Sequence, residues 1–340
     1  MKIGVGGGVM RMLADTRPLV ELYRGAARQA VEAEQHGFDF ITVGEHHFAS
    51  NEWNPSSFPL LSYFAAQTSR IRIGTNVLVA PYHNPIRVAE DVATVDLLSN
   101  GRLDLVVGGG SIVGEFETFG VNPKERWGRM FEMLEIVRRS FQEDAFDHNG
   151  RYFHFPNIRM TTRPVQQPFP LWVATLGPKM IARVAREGYH LQIPGLGPSE
   201  FCWKIYSDEL RKHGKDPGRF NFHIMASVIV AERWDDRKAA ELNASTKHFR
   251  RFYEEQTTVF EGTAHALDDH PSFQPIAGTP DQVLKHLEPI LKVSAVTHLQ
   301  ANIDFRTVGL FEKEVMPTLQ KWGRTPATYT APPNHASREG

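Results

Sequence analysis

Three ionisable side chains in a row end an otherwise apolar stretch. The segment "GFDFITVGEHHFAS", Gly37 to Ser50, closes on Glu45-His46-His47. Phe38, Phe40, Ile41 and Val43 before them are the residues of a buried strand. An imidazole titrates near neutral pH, so it can give or take a proton, and a neighbouring carboxylate can orient it and tune its charge. The chemistry this predicts is acid–base catalysis by His46, with Glu45 as its orienting partner. Two other readings stand beside it. The histidines could cap the strand by hydrogen bonding, or they could hold zinc. Zinc would prefer His-x-His, which keeps both rings on one face of a strand, and no second convincing ligand pair appears elsewhere. The expected metal content is none.

Three further stretches carry candidate binding residues. In "IRIGTNVLVAPYHNPIR" a small-polar step, Gly74-Thr75-Asn76, interrupts an apolar strand before Val77-Leu78-Val79. Such a step marks a bulge or the close approach of a flat ligand, though a plain sheet irregularity reads the same way. "RLDLVVGGG" ends a strand in Gly108-Gly109-Gly110, where backbone can approach a ligand closely. It is not GxGxxG before a helix, so a dinucleotide fingerprint is weak. "PLWVATLGPKMIARVAREG" ends a strand at Thr175 and opens a helix at Gly177-Pro178. A helix start attracts anions, Pro178 removes one donor, and Lys179 adds a charge. An ordinary strand-to-helix turn is the alternative.

The elements that must position these residues alternate strand with helix. Strands are predicted at Lys2–Gly7, Phe38–Glu45, Ile71–Val79, Leu103–Gly108, Leu171–Thr175, His190–Pro194, Asn221–Val230 and Val296–Ile303. Helices are predicted at Pro18–His36, Pro59–Thr68, Pro85–Leu98, Lys124–Phe141, Lys179–Glu187, Ser199–Lys212, Asp235–Glu255, Asp281–Leu291 and Phe311–Lys321. Strict alternation with right-handed crossovers builds a parallel sheet. Eight strands favour an α/β fold of the closed (β/α)8 TIM barrel type, with the site at the C-terminal strand ends. A hairpin is expected within Asn149–Pro170, inserted before the fifth strand. A long loop is expected at Thr257–Ala277, after the seventh. The whole reads as one domain, 1–323, followed by a flexible tail, 324–340.

Composition bounds the function. The chain has 340 residues, 41% of them apolar, and a formal net charge of −1. That is enough for a large core, and it offers no basic field for nucleic acid or a membrane surface. The single cysteine, Cys202, rules out an intramolecular disulfide and points to a reducing cytoplasm. The opening "MKIGVGGGVM" reads as a strand and not as a signal peptide.

Taken together, "GFDFITVGEHHF", "GTNVLVAPYHNPIRVAEDVATVDLLSNGR" and "PLWVATLGPKMIARVAREG" resemble the bacterial luciferase-like family of flavin-dependent monooxygenases. The resemblance runs from Met1 to about Gly323. It implies a barrel that uses reduced FMN and O2 through a C4a-peroxyflavin to oxygenate a small organic substrate. A separate NAD(P)H-dependent flavin reductase would supply the flavin. By position His46 matches the family's catalytic histidine. Asn76 and Val77 match a bulge, often with a non-prolyl cis peptide, that supports the flavin ring. Gly108 and Gly109 match the strand end beside the flavin, and Leu176, Gly177 and Met180 match the turn that holds the phosphate. Two positions depart from the luciferases. They carry an arginine where this chain has Gly109, and an acid and a serine where it has Leu176-Gly177. Phosphate contacts are therefore expected from backbone N–H groups, Arg126 or Lys179. "GPKM" is similar to the deazaflavin-dependent branch, which transfers hydride without oxygen. A non-catalytic luciferase-like partner subunit and a metal hydrolase barrel are the remaining alternatives. Phe48, Trp53, Tyr82 and His83 are expected at the rim of the site. Helices around Leu60–Phe64 and Ile86–Leu98 carry more than one apolar face, and the family pairs through them, so a homodimer is expected.

Overall fold

The computed structural model describes residues 1–11, 15–254, 275–292 and 295–327. Eight parallel strands close into a barrel: β1 (Lys2–Gly7), β2 (Phe40–Val43), β3 (Arg72–Thr75, resuming as Leu78–Val79), β4 (Leu103–Gly108), β5 (Leu171–Ala174), β6 (His190–Pro194), β7 (Phe222–Val230) and β8 (His298–Asn302). Each pairs with its sequence neighbour, and β8 returns to β1 through Lys2↔His298, Ile3↔Leu299 and Gly4↔Gln300.

Alternation along the strands sorts the residues. Ile3, Val5, Ile41, Val43, Ile73, Leu105, Val107, Val173, Leu191 and Leu299 are fully buried and face the helical layer. The opposite set points into the barrel, and much of it is polar or aromatic. Thr42 Oγ1 of β2 and Asn76 Nδ2 each donate to Gln300 Oε1 of β8, both at 2.7 Å. Lower down, the rings of Phe40, Trp172, His223 and His298 meet from four strands. Phe40 takes the room a side chain would need at Gly4, where a Cβ would fall 2.3 Å from its ring. Glycine at that position lets the aromatic layer close.

The helices form where their ends are specified. In α3 (Pro85–Leu98), Asn84 caps the start by accepting from the N–H groups of Ile86 and Arg87, and Pro85 takes the first turn. Asn100 and Gly101 end it with positive φ, as the "SNGR" stop signal implies. Helix α9 (Pro280–Leu291) opens on a capping box of Thr279 and Gln282.

The structure differs from the expectation in four places. Strand β2 stops at Val43, so Glu45 lies beyond it. The antiparallel hairpin pairs Phe146–Asn149 with His154–Ile158, and so begins ahead of the predicted insertion. A short helix, α4 (Val113–Thr118), follows the glycine run. The last predicted helix is broken into Val308–Glu314 and Met316–Leu319. Of the predicted loop at Thr257–Ala277, residues 257–274 lie outside the described residues, and Ile276–Gly278 pairs with the upper end of β7. Beyond 323, Asn221 holds Ala327 by two bonds, at 2.8 and 3.4 Å, so the chain stays attached to the barrel at least that far. Residues 328–340 lie outside the described residues. Among the described residues, no helix is long and apolar enough to cross a membrane.

Candidate active site

Beyond β2 the chain turns sharply, and the three ionisable residues separate. Glu45 is 3% exposed. Its Oε1 receives His47 Nε2 at 2.7 Å and His83 Nε2 at 2.8 Å, and its Oε2 receives the Val79 amide at 3.1 Å. Burial pushes this carboxyl up, but the bonds and charges of the two imidazoles outweigh it and hold the pKa at about 2. An ionised carboxylate only accepts, so both rings carry their proton on Nε2.

The carboxylate beside His46 is Glu115, not Glu45 as expected. His46 Nδ1 lies 3.2 Å from Glu115 Oε1, the His47 amide donates to the same oxygen at 2.8 Å, and Tyr82 Oη donates to Oε2 at 3.3 Å. Glu115 is 1% exposed. Burial, then the Glu115 charge and bond, push the Tyr82 phenol far above its usual range, so it stays a donor. With Nδ1 held by a carboxylate, the ring's orientation is set and proton exchange falls to Nε2. The Trp53 ring packs edge-on against His46, centroids 4.6 Å apart. Tyr82 stacks on Phe119 at 4.7 Å, and Phe48 projects beyond them, 70% exposed. The expected rim residues Phe48, Trp53, Tyr82 and His83 all gather here.

Glu115 is a partner of His46 that the sequence does not signal directly. It sits on α4, six residues without a side-chain cap at its start, too short to show a periodic pattern. The spacing from the glycine run was the only available signal.

Strand 3 breaks where expected. β3 pairs with β2 through Thr75, and the peptide Asn76–Val77 is cis. Pairing then resumes as Leu78↔Val107 and Val79↔Gly108. A Cβ at Gly108 would stand 2.7 Å from Val77 Cγ2, and one at Gly109 would stand 3.0 Å from the Trp127 ring. Trp127 thus occupies the direction a side chain at Gly109 would take, and a larger residue there would have to displace its ring.

Arg126 opens α5 (Arg126–Gln142) and lies over the Trp127 ring at 5.4 Å. Its Nη1 donates to the Pro123 carbonyl at 3.0 Å, while the buried Nε has no hydrogen-bond partner among the described residues. Burial alone lowers its pKa. The half-buried guanidinium, next to the Trp127 that packs on Gly109, supplies the positive charge a phosphate would need. Across the mouth, α6 (Pro178–Glu187) begins at Gly177. Thr175 Oγ1 accepts from the Gly177 amide at 3.2 Å, and Met180 N–H turns back to the Gly177 carbonyl at 2.9 Å. Pro178 has no N–H, so the helix's contribution narrows to Lys179. Leu176 and Met180 are half-buried, and Gly177 and Lys179 are exposed. Gly177 has no neighbour closer than 3.9 Å to a notional Cβ, which leaves the turn open to a ligand. The glycine end of β4, the Asn76–Val77 step and Arg126 therefore fit an FMN-type cofactor. Among the described residues, no three His, Cys, Asp or Glu side chains gather as metal ligands would.

Active sites of such barrels form at the C-terminal strand ends, and this mouth brings together His46 with Glu115, the break of strand 3 at Asn76–Val77 and the glycine end of β4. Residues 9–298 match the model of the luciferase-like monooxygenase family, and the chain belongs to that family. A protein of Sinorhizobium fredii, "Uncharacterized protein y4vJ", is 38% identical over 174 residues, a match spanning half of each chain. The oxygenase component of a flavin-dependent trigonelline monooxygenase from Acinetobacter baylyi is 26% identical over 83% of this chain and 82% of its own. An F420-dependent glucose-6-phosphate dehydrogenase from Amycolatopsis mediterranei is 27% identical over 88% and 96%. The crystal structure of monooxygenase RslO1 from Streptomyces bottropensis superposes with a TM-score of 0.81 at 23% identity, covering 94% and 99% of the two chains. That likeness establishes the shared fold.

Proposed function

We propose that this chain is the oxygenase of a two-component system. It takes reduced FMN from a separate NAD(P)H-dependent flavin reductase and places one atom of O2 into a small organic substrate. The observation that carries the reading is His46 held by the buried Glu115 at the mouth that also holds the break of strand 3 at Asn76–Val77. Reduced FMN, when bound, supplies the electrons that activate oxygen.

The chain's own residues supply the rest. Val77 and Gly108 give the flavin ring a flat wall. Arg126 takes the phosphate's charge, with Lys179 and the start of α6 on the other side. His46 passes a proton at Nε2, and Glu115 fixes the ring that does so. Tyr82, Phe119 and Trp53 exclude water from the centre. Glu45 acts at one remove, tying His47, His83 and the backbone after the ledge together. A phosphate site with one fixed arginine and no second one at Gly109 suits an enzyme that borrows its flavin. The test is a binding comparison. FMN should bind more tightly than riboflavin, and Arg126→Ala should narrow the difference. Equal binding in the unaltered protein would remove the phosphate site.

A second reading has one observation behind it. Glu115 gives His46 a buried carboxylate that could serve proton transfer in hydride chemistry on a deazaflavin, and the Amycolatopsis relative is named for such a cofactor. Titration with reduced deazaflavin and reduced FMN side by side separates the two. The presence of both His46 and Glu115 argues against a non-catalytic partner subunit.

A further inference from the structure

A chain of side-chain amides inside the barrel leaves one polar atom of the strand 3 break unspent. Gln300 of β8 is 3% exposed and Thr42 of β2 is 4% exposed. Gln300 Oε1 accepts from Thr42 Oγ1 and from Asn76 Nδ2, both at 2.7 Å, and its Nε2 donates to Asn302 Oδ1 at 2.8 Å. Gln300 and Asn302 lie two residues apart on one strand, so they share a face. Gly6 of β1 makes room for them, since a Cβ there would fall 2.4 Å from Asn302 Oδ1 and 3.1 Å from Gln300 Nε2. The second hydrogen of Asn76 Nδ2 faces Met225 Sδ of β7 at 3.7 Å. A thioether only accepts, as Gln300 Oε1 does, so turning the Asn76 amide over would set its oxygen against two acceptors. The Nδ2 end is therefore fixed inward, and Oδ1 is left over. Among the described residues nothing donates to it, and it is not one of the sealed polar atoms, so it keeps accessible surface at the mouth.

We propose that Asn76 Oδ1, aimed by Gln300, is the acceptor by which the site tells reduced flavin from oxidised flavin. Reduction of an isoalloxazine turns a ring nitrogen from an acceptor into an N–H donor. A fixed acceptor beside the ring pairs with that donor, whereas against the oxidised ring it is desolvated and left unpaired. An amide free to turn would offer Nδ2 to the oxidised ring and Oδ1 to the reduced one, and would not discriminate. The bonds of Asn76 Nδ2 to Gln300 and Met225 remove that freedom, and Asn302 in turn fixes which end of Gln300 faces Asn76. Gln300 is thus a positioning residue that acts through Asn76. Such selection suits a protein that takes reduced flavin from solution and gives up the oxidised form. The inference rests on the flavin reading and goes beyond it in naming the favoured redox state and the atom that favours it.

The experiment is equilibrium binding of oxidised FMN and, without oxygen, of reduced FMN to the full chain, with the midpoint potential of the bound flavin as a second readout. Reduced FMN should bind at least about 10-fold more tightly than oxidised FMN, the weight of one hydrogen bond gained against one acceptor left unpaired. A tenfold ratio places the potential of bound flavin about 30 mV above that of free flavin for a two-electron couple. Asn76→Leu, close in shape, should bring the two affinities together. Gln300→Met should do the same with Asn76 still in place, because the amide can then turn. If Asn76→Leu does not fold, Gln300→Met carries the same prediction. Equal affinity for the two states in the unaltered protein would overturn the proposal and leave the flavin site standing. So would an unchanged ratio and potential in either variant. Binding of neither state would sink the flavin reading and this inference with it.

Discussion

His46 Nδ1 lies 3.2 Å from the carboxylate of Glu115, sixty-nine positions along the chain, while the adjacent Glu45 turns to His47 and His83. Neighbours in sequence are split between two buried carboxylates. On the proposed reading the split gives separate tasks, proton handling to the His46–Glu115 pair and support of the backbone after Val77 to Glu45.

Substitution at His46 tests the first task. His46→Ala should lower turnover by about 100-fold, the usual weight of a positioned acid or base, with unfolding temperature and secondary structure retained. Coupled turnover at the unaltered rate would take His46 out of the mechanism.

Glu115→Gln keeps the shape and removes the charge. Turnover should drop by about 10-fold while substrate KM stays within a factor of two, because the carboxylate acts through His46 and not on the substrate. The same drop in Glu45→Gln would show that the two carboxylates share a role.

Acid should weaken the barrel in two windows. Burial lowers the pKa of His190 and of His223 to about 3, and the fold keeps both rings neutral. His190 Nδ1 also accepts from the Asn221 amide at 3.1 Å, a bond that a proton there would break. Below the unfolded value of 6.5 the unfolded chain binds protons the folded one refuses, so stability falls as pH drops from 6.5 towards 3. The slope is up to about 1.4 kcal/mol per pH unit for each ring. Glu45, held at about 2 against an ordinary 4.5, adds stability above 4.5 that is lost as pH falls towards 2. Urea unfolding between pH 7 and 4 should show the histidine window, and His223→Leu should reduce its slope by the share of one ring. A flat profile in the unaltered protein would mean that these rings are protonated in the folded state.

Much of this arrangement was legible in the sequence, for physical reasons. β1, β4 and β6 have the predicted bounds, because each is a compact apolar run closed by glycine, proline or charge. The Asn76–Val77 break was visible as a polar step in an apolar strand. Helix α3 was visible through Asn84-Pro85 at one end and Asn100-Gly101 at the other. The partner of His46 was not legible. Which carboxylate reaches an imidazole depends on where the chain turns after Val43 and on α4, and neither leaves a periodic pattern. The Trp127 ring against Gly109 was hidden for the same reason, being a contact between β4 and α5.

Surface exposure supports pairing of two chains. Leu60, Leu61 and Phe64 of α2 (Ser57–Gln67) and Val88, Val92 and Val95 of α3 are buried against the barrel. Tyr63 at 42%, Leu97 at 48% and Leu98 at 60% exposed remain on the outer side. Light scattering at micromolar concentration should give twice the chain mass, and Leu98→Asp should halve it. A single-chain mass that does not change on concentrating the sample would end the dimer expectation.

The central claim is that the mouth holding His46, Glu115 and Arg126 uses reduced FMN to activate oxygen. The direct measurement is an anaerobic titration with reduced FMN, followed by a pulse of oxygen, with oxygen uptake and hydrogen peroxide release followed in time. The account predicts saturable binding that weakens in Arg126→Ala, and peroxide release much slower than from free reduced FMN. Peroxide appearing at the free-flavin rate, with reduced deazaflavin binding in place of FMN, would contradict it.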